Sequence, residues 1–97
     1  MEAAQRASNT AEQRPNALYN LAAFYAVQND FPGTERSLRA AIDWAPHWYK
    51  PRWMLARVLQ QAGRLAEAKV EARRAVELDA GHDAEVVNTW ETLRQQE

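Results

Sequence analysis

The sequence predicts an all-α fold in which antiparallel helix pairs stack on one another. Two observations lead to this prediction: the chain repeats itself at an offset of 34 residues, and apolar residues within each repeat recur at spacings of three and four. No segment alternates apolar and polar residues over the length of a strand. At 97 residues, 46% of them apolar, the chain has the size of one small domain.

The first repeat, residues 15–48, predicts two helices joined by a tight turn. Asn29 and Asp30 interrupt the apolar pattern, and Pro32 suits the first turn of the second helix, where a missing backbone N–H costs nothing. The residues expected to form the buried faces are Leu18, Leu21, Ala22 and Tyr25 on the first helix, and Leu38, Ala41 and Ile42 on the second.

The second repeat, residues 49–82, has the same pattern, with Pro51 in a first turn and Gly63 as a left-handed turn residue. Its buried faces are expected to comprise Leu55, Ala56 and Leu59, then Leu65, Ala68, Ala72, Ala75 and Val76. Residues 83–97 predict a fifth helix that caps the stack, with negative charge at its start where the helix dipole favours it. Residues 1–14 are either a tail or the remnant of a preceding repeat helix.

This 34-residue helix–turn–helix pattern resembles the tetratricopeptide repeat (TPR). The resemblance rests on Leu18, Leu21, Ala22, Tyr25, Thr34, Leu38, Ala41 and Pro46 in the first unit, and on Leu55, Ala56, Leu59, Gly63, Ala68 and Ala75 in the second. It implies a short right-handed α–α superhelix. Three residues depart from the family pattern: Asn29 replaces a Gly, Arg52 stands in place of a large apolar residue, and Ala80 replaces the closing Pro.

The resemblance also implies a function, namely a scaffold that binds a peptide or helix of another protein in a concave groove. Because the first helix of each pair lines that groove in the family, the expected binding residues are Asn16, Tyr19, Asn20, Lys50, Trp53, Met54, Arg57, Gln61 and Asn88. Lys50, Trp53 and Arg57 share one helix face and are expected to form its centre. All charged side chains between Trp44 and Ala66 are basic, which favours an acidic partner.

A second, weaker resemblance gives an alternative function. The Trp- and Pro-rich segment 41–56, together with residues 79–83, is similar to the C-terminal repeat region of bacterial membrane proteins of the O-antigen ligase or polymerase type. It implies an accessory C-terminal domain of an envelope polysaccharide enzyme. The membrane part and its chemistry would then lie outside these residues.

Composition argues against several other classes of protein. The chain lacks Cys, and its 12 basic and 13 acidic residues give a net charge of −1, whereas nucleic-acid binding usually needs a basic surface. His47 and His82 have no other ligand at metal-binding spacing, and no catalytic or cofactor-binding motif is present. The longest apolar run, Leu21 to Val27, is too short to cross a bilayer. We therefore expect a non-enzymatic module without metal, cofactor or membrane insertion in this segment. The sequence does not decide whether copies of the protein associate through exposed end helices. It also leaves open whether the protein lies in the cytoplasm or the periplasm.

Overall fold

The chain folds into five α-helices in sequence order, in a computed structural model that describes the backbone of residues 3–96 and the side chains of residues 14–96. The helices are α1 (Ala3–Val27), α2 (Phe31–Trp44), α3 (Tyr49–Gln61), α4 (Leu65–Asp79) and α5 (Ala84–Arg94). The described residues contain no strand. The prediction of an all-α fold of packed helices is confirmed.

The first helix begins earlier than the predicted start of the first repeat. α1 runs without interruption from Ala3 through Pro15 to Val27, so residues 15–27 continue a helix that is already formed. Met1, Glu2 and the side chains before Arg14 lie outside the described residues. The interpretation of residues 1–14 as a tail or a remnant of a preceding repeat therefore stays a prediction.

Each helix packs on the next one in the chain, and α3 also contacts α5. Many of the buried residues at these contacts are small, which lets the helices approach closely. One continuous apolar cluster connects all five helices, and its buried members are Ala22, Leu38, Leu55, Ala56, Val58, Leu59, Ala68, Ala72 and Leu93.

The two intra-repeat turns have the same backbone structure 34 residues apart. Asn29 and Gly63 both adopt left-handed conformations, with φ of 61° and 80°. In each turn the next backbone N–H donates to the carbonyl oxygen five residues earlier, from Asp30 to Tyr25 and from Arg64 to Leu59, both at 2.9 Å. The predicted period is therefore a structural period, and Asn29 performs the role of the usual Gly because Asn tolerates this region.

The prediction that Leu21 is buried is wrong. Leu21 keeps 40% of its surface exposed, whereas its counterpart Leu55, one period later, is fully buried. The difference arises because α2 packs on α3, whereas α1 is the first described helix and no described helix precedes it. Its neighbour Ala22 is fully buried, as predicted.

At Arg52, a charged residue in an ion pair stands where the repeat pattern has an apolar residue. Its counterparts one period away on either side are Leu18 and Val86, both apolar. Arg52 is only 19% exposed, and its Nη1 lies 3.1 Å from Oε1 of Glu71, which is 14% exposed. Glu71 in turn occupies the place of the buried Ser37 one period earlier. A charged pair thus replaces an apolar and a small residue, and it leaves Nε of Arg52 buried without a hydrogen-bond partner among the described residues.

The fifth helix packs on α4 and also contacts α3. Val86 and Leu93 are fully buried, and Trp90 packs against the apolar cluster. At the end of α5, Nζ of Lys69 donates to the backbone oxygen of Gln96 at 2.5 Å. The role of residues 83–97 as a cap stays a prediction.

Candidate binding surface between α3 and α5

A small pocket of about 270 Å³ opens between α3 and α5 and is lined by Trp53, Arg57, Glu85, Asn88 and Thr89. We call it the α3–α5 pocket. Sites for drug-sized ligands are usually about 300–1,000 Å³. The pocket is therefore suited to a single side chain of a larger partner rather than to a whole small molecule.

Trp53 is held in a defined orientation at the pocket. Its Nε1–H donates to Oγ1 of Thr89 at 3.0 Å, and the Thr89 hydroxyl donates to the backbone oxygen of Glu85 at 2.8 Å. The hydrogen bond ties α3 to α5 and satisfies the polar atom of the indole. Trp53 is half-buried, so part of its ring stays accessible.

Arg57 rests on the face of this ring. The centre of its guanidinium lies 5.3 Å from the Trp53 ring centroid, which is within the range of a cation–π interaction. Arg57 itself is exposed, and none of the ion pairs within residues 14–96 includes it. Its hydrogen-bond donors are therefore free of a carboxylate partner in this part of the chain, while its central carbon lies over the Trp53 ring.

Tyr19 of α1 extends the surface from Arg57 towards the start of α3. Its ring centroid lies 5.4 Å from that of Trp48, and the two rings are tilted by 50°. Partial burial raises the pKa of Tyr19 above its ordinary value, and the positive charge of Arg57 opposes that rise. The Arg57 charge lowers this pKa because it favours the negatively charged phenolate.

The nine residues predicted for the groove occupy different environments. Trp53, Arg57 and Asn88 line the pocket together, and Tyr19 neighbours Arg57. The predicted residues that are exposed but do not line the pocket are Asn16, Asn20, Lys50 and Gln61. Met54 packs against the apolar cluster instead of facing the pocket. The central trio predicted from α3 is thus brought to the pocket only in part, because Lys50 does not line it.

Sequence reasoning missed Glu85 and Thr89, which form the α5 side of the pocket. Their spacing in the sequence could have identified them, since positions 85 and 89 share one helix face with the predicted Asn88. Glu85 also corrects the expectation of surroundings free of acids. The sequence around Trp53 contains no acid, but the fold brings a carboxylate from α5 to the same pocket. The pocket therefore has one positive and one negative wall.

Helix pairs whose turns have the same backbone structure 34 residues apart define a helical-repeat protein. Residues 51–76, which include most of α3 and α4, match the family model of the tetratricopeptide repeat, so the chain contains a tetratricopeptide repeat in this segment. No curated protein sequence matches the chain. The first resemblance is thus confirmed, and no match supports the second, to the O-antigen ligase type. Tetratricopeptide repeats are generally non-catalytic scaffolds for protein partners, and the match supports that general role.

Two further observations concern metal ions and membranes. Among the side chains of residues 14–96, no group of three His, Cys, Asp or Glu residues is arranged to hold a metal ion. Within the described helices, none combines the length and the hydropathy that a membrane span requires.

Proposed function

We propose that the protein binds a peptide segment of another protein at the α3–α5 pocket, and that Arg57 receives an acidic side chain of that peptide. The observation that carries the proposal is the state of Arg57. It is exposed, lies over the Trp53 ring and has no ion-pair partner among the described side chains. A guanidinium held in this way loses little conformational entropy when it binds a carboxylate.

The other walls of the pocket suit the rest of a peptide. A carboxylate can accept two parallel hydrogen bonds from Arg57, which gives direction as well as attraction. The side-chain oxygens of Glu85 and Asn88 can accept hydrogen bonds from backbone N–H groups of the peptide. The side-chain amide of Asn88 can also donate a hydrogen bond. An aromatic beside an arginine is a common centre of binding energy in protein interfaces. The mixed charge of the pocket favours a peptide with both an acid and available N–H donors over a purely acidic one.

The test begins by selecting displayed 12-residue peptides on the immobilised protein. The peptides obtained are then titrated by fluorescence anisotropy against the parent and two variants. We expect Arg57→Glu to weaken binding by about 2 kcal/mol, or about thirtyfold, because it replaces attraction by repulsion. Arg36→Glu on α2 is the matched control, since Arg36 is also exposed but lies away from the pocket lining. Equal binding by the parent and Arg57→Glu would contradict the proposal.

A second pair of variants separates binding from folding. Trp53→Phe keeps an aromatic ring under Arg57 but removes the hydrogen bond to Thr89. Trp53→Ala removes both. We expect Trp53→Ala to bind the selected peptides more weakly than Trp53→Phe at a temperature where both are folded. Melting curves followed by circular dichroism establish that temperature.

A further inference from the structure

A second pocket, of about 270 Å³, opens between α3 and α4 and is lined by Arg52, Val70, Arg73, Arg74 and Glu77. We call it the α3–α4 pocket. It shares no lining residue with the α3–α5 pocket. Three of its five lining side chains end in a guanidinium group and one ends in a carboxylate, so the lining has more positive than negative charge.

The group of three arginines is specific to the second repeat. One period earlier, the corresponding residues are Leu18, Arg39 and Ala40, so only Arg73 has an arginine as its counterpart. The helix pair of the first repeat therefore packs without such a group. The repeat fold as such does not require three arginines at this place.

Arg52 is held in place but is incompletely satisfied. Its Nη1 lies 3.1 Å from Oε1 of Glu71, while its Nε is buried without a hydrogen-bond partner among the described residues. A buried ion pair is often no more stable than apolar residues of similar size. An unpaired buried donor is uncommon in folded proteins, and an ion or ligand near the site is one explanation for it.

Arg73 and Arg74 share a single acid. Nε of Arg73 lies 3.4 Å from Oε2 of Glu77, and Nη1 of Arg74 lies 3.3 Å from Oε1 of the same carboxylate. The two arginine side chains are 71% and 50% exposed, so water competes with these ion pairs and they are weak. Because each guanidinium carries five N–H donors, one carboxylate leaves most of these donors available to a ligand.

The chemistry of the ligand follows from its competition with Glu77. A carboxylate of a partner would carry the same single charge as Glu77, which is attached to the same helix and therefore has the advantage of a high effective concentration. A phosphate ester carries a charge of about −1.5 to −2 at neutral pH and has three strong acceptor oxygens. It can therefore bind both exposed arginines at once, which a carboxylate beside Glu77 cannot do as well.

The surroundings of the pocket favour a peptide as the source of the phosphate. Glu71 and Glu77 lie among the three arginines, which leaves an excess of one positive charge. Membranes and nucleic acids present many phosphates together and are bound by larger basic surfaces. A pocket of this volume accommodates one side chain. Val70, which is 65% exposed, offers an apolar contact to a neighbouring residue of the same peptide.

We infer that the α3–α4 pocket binds a phosphorylated side chain of a partner protein. Arg73 and Arg74 pair with the phosphate oxygens, and Arg52 adds positive charge from the α3 side. The inference does not depend on the function proposed for the α3–α5 pocket, because the two pockets have no lining residue in common. Phosphorylation of the partner would then switch this contact on.

The test uses three mixtures of nine-residue peptides that differ only at the central position, which is phosphoserine, serine or glutamate. The other positions are randomised among uncharged residues. Nuclear magnetic resonance of the ¹⁵N-labelled protein follows the backbone amides and the arginine Nε–H groups. We expect the phosphoserine mixture to shift the signals of Val70, Arg73 and Arg74 in a saturable manner. It should bind at least about tenfold more tightly than the glutamate mixture.

Variants assign the binding to individual residues. Arg74→Ala introduces the residue of the first repeat and should weaken binding of the phosphoserine mixture about tenfold. Arg39→Ala is the matched control and should leave binding unchanged. Arg39 is an exposed arginine on α2 that pairs with a glutamate four residues away, as Arg73 does, but it does not line the pocket. Circular dichroism establishes that both variants are folded at the temperature of the titration.

Several results would overturn the inference. Equal binding of the phosphoserine and glutamate mixtures would show that any acid suffices, and equal losses in Arg74→Ala and Arg39→Ala would place the site elsewhere. If inorganic phosphate binds as tightly as the phosphoserine mixture, the pocket takes a free anion and not a peptide. If vesicles of anionic phospholipid or single-stranded RNA bind more tightly than that mixture, the partner belongs to a different class.

Discussion

Tyr49 donates its phenolic hydrogen to Oδ2 of Asp83 at 3.0 Å, and the two residues are one repeat period, 34 positions, apart. The other oxygen of the same carboxylate, Oδ1, accepts the backbone N–H of Glu85 at 3.0 Å and caps α5. One carboxylate therefore joins the start of α3 to the start of α5. These are the two helices that form the pocket.

Asp83→Ala should lower the free energy of unfolding by about 1–3 kcal/mol, because it removes both the helix cap and the acceptor for Tyr49. Asp83→Asn is the matched control, since it keeps a side-chain oxygen in a similar place and should lose less. Urea denaturation followed by circular dichroism measures both. Equal losses for the two variants would show that a side-chain oxygen at position 83 does not by itself stabilise the fold.

Tyr49→Phe should change how stability depends on pH. The hydrogen bond to Asp83, followed by burial, raises the pKa of Tyr49 above its ordinary value of 10.0. Since the folded state holds this proton more tightly than the unfolded state, the contribution is fully present below about pH 10 and is lost as the pH rises through the folded pKa. The parent should therefore lose more stability than Tyr49→Phe between pH 8 and pH 11, as measured by urea midpoints. A parallel decline in the two proteins would contradict this assignment.

The ion pair between Arg52 and Glu71 should be replaceable by the residues of the first repeat. Arg52→Leu alone leaves Glu71 partly buried without its partner and should cost about 1–3 kcal/mol. Adding Glu71→Ser reproduces the combination of Leu18 and Ser37, and we expect the double variant to be at least as stable as the parent. The complete double-mutant cycle is measured by chemical denaturation. A double variant less stable than the parent would contradict this expectation.

Ala80→Gly and Gly63→Ala should change stability in opposite directions. Ala80 adopts a left-handed conformation with φ of 60°, which is unfavourable for a residue with a Cβ, so Gly there should stabilise the fold by up to about 1 kcal/mol. Gly63 has φ of 80°, and a Cβ added there would meet no atom within 4 Å. Gly63→Ala should therefore cost about 1 kcal/mol through backbone strain alone. Thermal melting distinguishes the two signs, and a loss in Ala80→Gly would contradict the role of strain.

Deletion of residues 83–97 should destabilise the protein severely. Fully buried aliphatic side chains contribute about 1.5–3 kcal/mol each, and the deletion removes Val86, Leu93 and the partly buried Trp90. A deletion of residues 96–97 alone is the control, since it removes the contact between Lys69 and Gln96 but retains all three apolar side chains. If the longer truncation melts within a few degrees of the parent, residues 83–97 do not act as a structural cap.

The features predicted correctly depend on local sequence. The turn at Asn29 and its counterpart at Gly63 follow from residues that tolerate left-handed backbone, and the buried Ala22 and Ala56 follow from helical spacing. Exposure of Leu21 could not be predicted in this way, because it depends on which helix lies beside α1 and not on the pattern within α1. Likewise, the contribution of Glu85 to the pocket depends on the rotation of α5 against α3, which long-range packing determines.

The succession of helix contacts along the chain has a mechanical consequence. The packing contacts are mainly between consecutive helices, with α3 and α5 as an additional pair. Pulled apart from its two ends, such a protein has few distant contacts that would share the load, so helices should detach one after another at low force. An extensible connector behaves in this way, whereas a fold with paired terminal strands resists and then breaks in a single event.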